Sequence, residues 1–422
     1  MSFVRRRHKL LSGAAALAFT AALGACSSSN KPASSGTTAT TSASSATTAS
    51  SAKGAPIKVG VICTCSGAFG ADVKDAADVY QAWANTVNAS GGLNGHPVQV
   101  TLKDDAANPG TSTSDIQTLI SDHVVAIADL SIVDQVWAST IQSAGIPVVG
   151  ANETENPFYQ NPDFYSEGQT NDSVTFANVA TAKASGAKSL GQFYCAEAPS
   201  CAEGVPLIKA QAQRTGIRDA YNAVVSATAP NYTAQCVAAQ QAHVAAVFIG
   251  DSSVVINRIA ADCDRQGYDP IYLTEGEGFG MNMAAAPGVS KNLWSEYSQV
   301  PFFDNIPAIR TMNAAVDKYY PGLRNNDQVW SELAVEGWSS GLLLADAVKA
   351  GGLSPGATPS TTEIVQGLHS LKGDTLQGTA PPLTFSGNGP HHIDCWFTAR
   401  VQNGKPSMVN NGQVSCENGS SA

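Results

Sequence analysis

Residues 57–105 read IKVGVICTCSGAFGADVKDAADVYQAWANTVNASGGLNGHPVQVTLKDD, and their rhythm decides the fold. IKVGVI (57–62) is a short run rich in β-branched residues, of the kind that forms a strand buried on both faces. Residues 73–92 have helical periodicity and stop at a glycine pair, and residues 96–105 form a second strand-like run. Outward from this unit the alternation continues. A helix is expected over 111–122, with Ser and Thr as cap candidates, then a strand at 124–130, a helix over 133–144 and a strand at 146–152. A strand–helix alternation of this kind predicts an α/β fold, a parallel sheet covered by helices on both faces.

The rhythm then restarts. Helices are expected over 175–187, 203–215, 232–242 and 253–266, with strands at 189–194, 220–225, 244–250 and 270–276. Residues 308–319, 329–350 and 361–370 read as further helices. FTARVQNGKPSMV (397–409) reads as a hairpin turning at Asn403-Gly404. In open parallel sheets ligands bind beyond the carboxyl ends of the strands, so two such units facing each other would enclose a cleft.

Upstream of the body, Arg5, Arg6, Arg7 and Lys9 precede an apolar stretch over residues 10–25, the layout of an export signal. It ends in Leu23-Gly24-Ala25-Cys26, which resembles a bacterial lipobox. Residues 1–25 are therefore expected to be removed and Cys26 to be lipidated. Residues 26–55 are almost entirely small and polar and cannot bury enough apolar area to order themselves, so they read as a flexible tether. The formal net charge of −10 becomes −14 without the four leader cations. So acidic a chain repels phosphate backbones, which excludes nucleic acid as a partner. With 43% hydrophobic and 14% charged residues, the body can bury a substantial core, and its length suggests two domains. No apolar run in the body is long enough to span a bilayer, so the lipid would be the anchor.

Apart from Cys26 there are eight cysteines, an even number in a chain expected to be exported. Proximity favours Cys195 with Cys201, Cys236 with Cys263, and Cys395 with Cys416. Cys63 and Cys65 remain; they are either a tight bridge, two thiols, or a metal or redox pair. Structural bridges are preferred because metal sites carry His or carboxylate ligands at matched spacing.

The segments IKVGVICTCSGAFGADVKDAADVYQAWANTVNASGGLNGHPVQVTLKDDAANP, AGIPVVGANETENP and GYDPIYLTEGEGFG, taken together, resemble the substrate-binding lipoproteins of branched-chain-amino-acid (Leu/Ile/Val) ABC importers. The resemblance runs from about residue 57 to 410. It implies a type I periplasmic-binding-protein fold, two lobes joined by three chain crossings that close on a ligand. One lobe would comprise 57–170 plus 303–378, the other 171–302 plus 379–422. In such proteins hydroxyls and helix N-termini of the first lobe hold the ligand's α-carboxylate, and Ser131 and Thr154 stand at the matching positions; plain N-capping is the competing role for both. Ser66 and Phe69 fall in a loop that lines the cleft in relatives. Glu277, in TEGEG (274–278), matches the acid that receives the ligand's ammonium, and Asp251 is a second polar wall residue. Where relatives carry an aromatic ring, this chain has the 195–201 loop, so Glu197 or Ser200 would make the pocket more polar.

The resemblance implies an extracytoplasmic, lipid-anchored monomer, without cofactor or metal, that passes an amino acid, zwitterion or amide to an ABC permease. Two alternatives stand beside it. A ligand-sensing lipoprotein of the same fold would look identical. An exported hydrolase would need Gly337-Trp338-Ser339-Ser340-Gly341 as a nucleophile elbow, but that motif requires a strand before it, and here it lies within a helix-like run. His391-His392 beside Cys395 suggests a metal or Cys–His pair, yet a bridged cysteine is no nucleophile. No H-E-x-x-H or phosphate-loop motif is present.

Overall fold

The computed structural model describes residues 52–67, 70–151 and 155–417. The leader, Cys26, the tether up to residue 51, Phe69 and Thr154 lie outside the described residues.

The first sheet is built from β1 (Ile57–Cys63), β2 (Val98–Asp104), β3 (Ala126–Leu130), β4 (Val148–Val149) and β5 (Phe164–Tyr165), all parallel, in the order β2-β1-β3-β4-β5. The intervening helices are α1 (Gly70–Ala89), α2 (Pro109–Ser121), α3 (Ala138–Ala144) and α4 (Pro157–Gln160). Strand alternation divides β1 between two cores: Val59 and Val61 join Tyr80 and Trp83 of α1, while Ile62 joins Ile116 and Leu119 of α2. The cap of α2 differs from expectation. Asn108 accepts from the backbone N–H groups of Gly110 and Thr111 at 2.9 and 3.0 Å, and Pro109 takes the first helical position, where no N–H is needed.

The second half comprises α5 (Asn171–Ala184), β6 (Ser189–Cys195), α6 (Pro199–Thr215), β7 (Arg218–Val225), α7 (Thr233–Gln241), β8 (Ala246–Gly250), α8 (Ser253–Arg265), β9 (Ile271–Glu275) and β10 (Asn292–Tyr297). Its parallel strands run β7-β6-β8-β9-β10, the same connectivity as the first sheet. β10 was not legible in advance, because Ser295 and Glu296 interrupt its apolar pattern; both are buried.

The chain then returns to the first sheet through α9 (Pro307–Tyr319), α10 (Glu332–Ala350) and α11 (Thr361–Ser370), followed by a small ribbon of β11 (Lys372–Asp374) and β12 (Leu383–Thr384). It ends on β13 (Cys395–Gln402), β14 (Lys405–Met408) and β15 (Ser415–Cys416). β13 lies antiparallel to β10, so the second sheet is mixed at this edge and not wholly parallel. Asn403 (φ 52°) and Gly404 (φ 77°) make the expected hairpin turn. The three passages between the sheets are tied side by side: Val300 N–H donates to the Thr379 carbonyl at 2.8 Å, and Thr170 N–H to the Ile393 carbonyl at 3.1 Å.

All four bridges form, Cys63–Cys65, Cys195–Cys201, Cys236–Cys263 and Cys395–Cys416. His391 is buried against the Tyr165 ring with centroids 4.7 Å apart, and burial, with His369 nearby, pushes it down to about 4. His392 pairs with Asp172 at 2.7 Å. Among the described residues no group of three or more His, Cys, Asp or Glu is arranged to hold a metal ion, and no helix is long and apolar enough to cross a membrane.

Gly337 and Gly341 lie inside α10, which is buried along most of its length, so the G-x-S-x-G pattern is a helix-packing contact. A Cβ on Gly337 would collide with the Ala76 carbonyl of α1, and one on Gly341 with the Trp83 ring. Gly337→Ala is therefore expected to destabilise the protein by about 1–3 kcal/mol, the usual cost of overpacking, despite alanine's better helix propensity. Denaturant unfolding would measure it.

Candidate functional site

The carboxyl ends of β6, β8 and β9 converge on one cavity of about 160 Å³. Register sets its layers. Gln192 lies beside Phe248, and Tyr194 beside Gly250, with Glu275 at the end of β9. Helix α5 faces this strip with Asn171, Thr175 and Asn178, spaced four and three apart on one side; α6 faces it with Cys201, Gly204 and Ile208. At the mouth lie Asp251, Ser252, Glu277 and Gly278, and the opposite wall comes from Val73, Ile132, Glu155 and Leu333.

The glycines of TEGEG serve close approach. A Cβ on Gly276 would collide with the Glu332 carboxylate and the Tyr297 ring; one on Gly278 would lie 2.5 Å from Thr274 Oγ1 and 2.6 Å from the Asp251 carbonyl. The loop can thus pass between these groups and turn Glu275 and Glu277 toward the cavity.

Four acidic side chains, Glu155, Asp251, Glu275 and Glu277, line the cavity, and no Lys, Arg or His among the described residues does. Burial raises the Asp251 carboxyl to about 6, against the hydrogen bond from Ser252 N–H at 2.7 Å and with Glu197 adding repulsion. Burial also raises Glu275 to about 7, partly countered by Asn178 Nδ2, which donates to Glu275 Oε1 at 3.4 Å. Asp251 Oδ2, Asn178 Oδ1 and Gln192 Oε1 are buried acceptors without a hydrogen-bond partner. The arrangement is one of acceptors seeking donors.

Of the residues expected from the sequence, Asp251 and Glu277 line the cavity. Ser66 is exposed and does not line it. Ser131 is fully buried: its hydroxyl donates to Asp105 Oδ2 at 2.5 Å and accepts from Val133 N–H at 3.1 Å. Asp105 also accepts from Thr64 and Ser112, which ties together the ends of β1, β2 and β3. Nearby, Asp129 and Asp134 are buried and held well above the usual carboxylate range, first by desolvation and then by neighbouring acids, Asp105 and Glu155 for Asp129, Asp129 and Glu155 for Asp134. Ser131 acts there as a structural cross-link.

Glu197 does not replace a missing ring. Its Oε1 accepts from Ser226 Oγ and Ala227 N–H, both at 2.9 Å, and Tyr194 supplies an aromatic wall one residue before the bridge. Glu275, Asn178, Thr175 and Gln192 were missed. Their signals were present as polar residues at helical spacing in α5 and a lone glutamine inside SLGQFY.

Burial disfavours an ionised Glu275, so its destabilising effect is absent below the unfolded value of 4.5 and fully present above about 7. Glu275→Gln is expected to raise the melting temperature at pH 8, with the gain vanishing near pH 4. The shift corresponds to at most about 3 kcal/mol.

The family model described as periplasmic binding protein matches residues 56–406. No curated protein matches the sequence. Similar solved structures include a fatty acid ABC transporter substrate-binding protein from Thermomonospora curvata (17% identity, TM-score 0.68, 84% of this chain and 91% of that one). A leucine-binding protein from Thermotoga maritima (16%, 0.67, 86% and 99%) shares the fold. So does an ABC transporter solute-binding protein from R. palustris in complex with benzoate (16%, 0.68, 86% and 98%). At these identities the likeness shows the fold, a two-sheet α/β architecture of the type I class. The match over most of the chain establishes that this protein belongs to the periplasmic binding protein family, whose members bind solutes and are not enzymes.

Proposed function

We propose that the protein captures a small organic cation, a primary amine, with its ammonium held among Asp251, Glu275 and Glu277. The family is extracytoplasmic and delivers small molecules to ABC transporters. The ligand reading rests on one observation: four carboxylates and no cationic side chain line the cavity among the described residues. Fatty acids and benzoate, named for two of the similar proteins, are anions and would meet four acidic side chains and no cationic one here. An ammonium ion instead relieves the burial cost of Asp251 and Glu275 by charge-assisted hydrogen bonds.

A zwitterionic amino acid is the second reading. It is supported by the leucine-binding protein of the same fold and by the apolar walls, Phe248 and Ile208, suited to an aliphatic side chain. In either case the two halves, 57–170 with 303–378 and 171–302 with 379–422, would close over the ligand as lobes of a monomer.

Calorimetric titration with amines, amino acids, amides and carboxylic acids separates these readings. Amine affinity should rise from pH 5 to pH 8, because Asp251 and Glu275 must lose protons, near 6 and 7, before they hold a cation. Binding should release protons. Glu277→Gln should weaken amine binding by about 1–3 kcal/mol. Tight binding of amides with no pH dependence, or of carboxylic acids, would refute the cationic reading. Preference for an amino acid over the matching amine would favour the zwitterion.

We also assign Cys26 as the site of a lipid anchor, with residues 26–55 as the spacer; the sequence of the leader supports this. Cys26→Ser should move the protein from the membrane fraction to the soluble fraction. Unchanged membrane retention would rule the anchor out.

A further inference from the structure

The mouth of the cavity does not account for its depth. Below Tyr194, Gly250 and Glu275 the cavity continues two residues back along the strands to Gln192 and Phe248, about 7 Å deeper at the usual rise of a strand. Two glycines keep this space open. Gly250 shares the strand face of Phe248, and a Cβ there would meet little besides the Phe248 ring, at 3.4 Å. Gly204 lies on the same side of α6 as Cys201 and Ile208, and a Cβ there would meet nothing within 4 Å.

The inner end is polar in one sense. Gln192 and Asn178 are each 1% exposed and both line the cavity. The Gln192 amide nitrogen donates to Asp219 Oδ1 and that of Asn178 to Glu275 Oε1, each at 3.4 Å, so carboxylates fix the orientation of both amides. Their oxygens, Gln192 Oε1 and Asn178 Oδ1, have no partner. Two buried acceptors beside the apolar walls of Phe248 and Ile208 call for an occupant that is apolar in the middle and a donor at its tip.

We infer that this inner chamber receives the far end of an elongated amine, and that this end carries a second hydrogen-bond donor, a hydroxyl or another amino group, for Gln192, with Asn178 beside Glu275 nearer the mouth. The inference rests on the cationic reading of the mouth and narrows it, from amines in general to unbranched ω-hydroxy amines and diamines. Ordered water filling the chamber is the competing account.

Calorimetric titration of the purified protein with ethylamine, butylamine, 4-aminobutan-1-ol and 1,4-diaminobutane decides it. Ethylamine reads the mouth alone, and the two longer donors should bind at least tenfold tighter than butylamine. Gly204→Leu projects a side chain into the chamber from a position with free space and favourable helix propensity, so the fold should survive, which thermal melting checks. It should weaken 4-aminobutan-1-ol at least tenfold more than ethylamine. Gln192→Met should erase the preference for 4-aminobutan-1-ol over butylamine. Equal affinities for butylamine and 4-aminobutan-1-ol, or uniform effects of Gly204→Leu on short and long amines, would overturn the chamber while leaving the cationic mouth standing. Failure of every amine to bind, ethylamine included, would overturn both.

Discussion

Parallel register across β6, β8 and β9 is the constraint on which the site depends. Because Gln192 is level with Phe248, and Tyr194 with Gly250, side chains separated by more than fifty residues in sequence share one face at defined depths. Loops that leave the ends of these strands deliver Asp251 and Glu277 just beyond Glu275. A slip of one residue would turn Gln192 and Glu275 to the opposite face and put their neighbours in the cavity. The Cys195–Cys201 bridge holds the end of β6 to the start of α6 across this wall.

Electrostatics distinguishes the two sides of the cavity. On the side of the first sheet, Asp105 is satisfied by Thr64, Ser112 and Ser131, a polar knot that joins strand ends. On the second side, Asp251, Asn178 and Gln192 keep acceptors unpaired in a buried setting. Buried groups without partners cost stability, and such groups gathered around a cavity mark where a ligand completes the structure. The same physics accounts for the raised carboxyl values of Asp251 and Glu275.

Small residues make room on both sides for different ends. In α10, Gly337 and Gly341 let that helix press against α1, which fastens the returning chain to the first sheet. Around the cavity, Gly204 and Gly250 leave space that nothing in the fold fills. The G-x-S-x-G string resembles a catalytic motif only in one dimension; its placement inside a buried helix removes that meaning.

The sequence by itself determined the strand and helix order, the repeated architecture, the bridge pairing by proximity, the C-terminal hairpin and the acidity of the loops after β8 and β9. These are properties of periodicity, turn chemistry and local spacing, which a linear chain carries openly. Tertiary structure alone decided which polar groups remain unpaired. Ser131 and Asp251 both follow buried strands, yet one hydroxyl is bound into a knot with Asp105 while one oxygen of the other faces the cavity without a partner. Asn178 and Gln192 joined the site only because helix packing and strand register brought them to Glu275 and Phe248. Satisfaction of a polar atom is a property of its surroundings in three dimensions, and no local pattern encodes it.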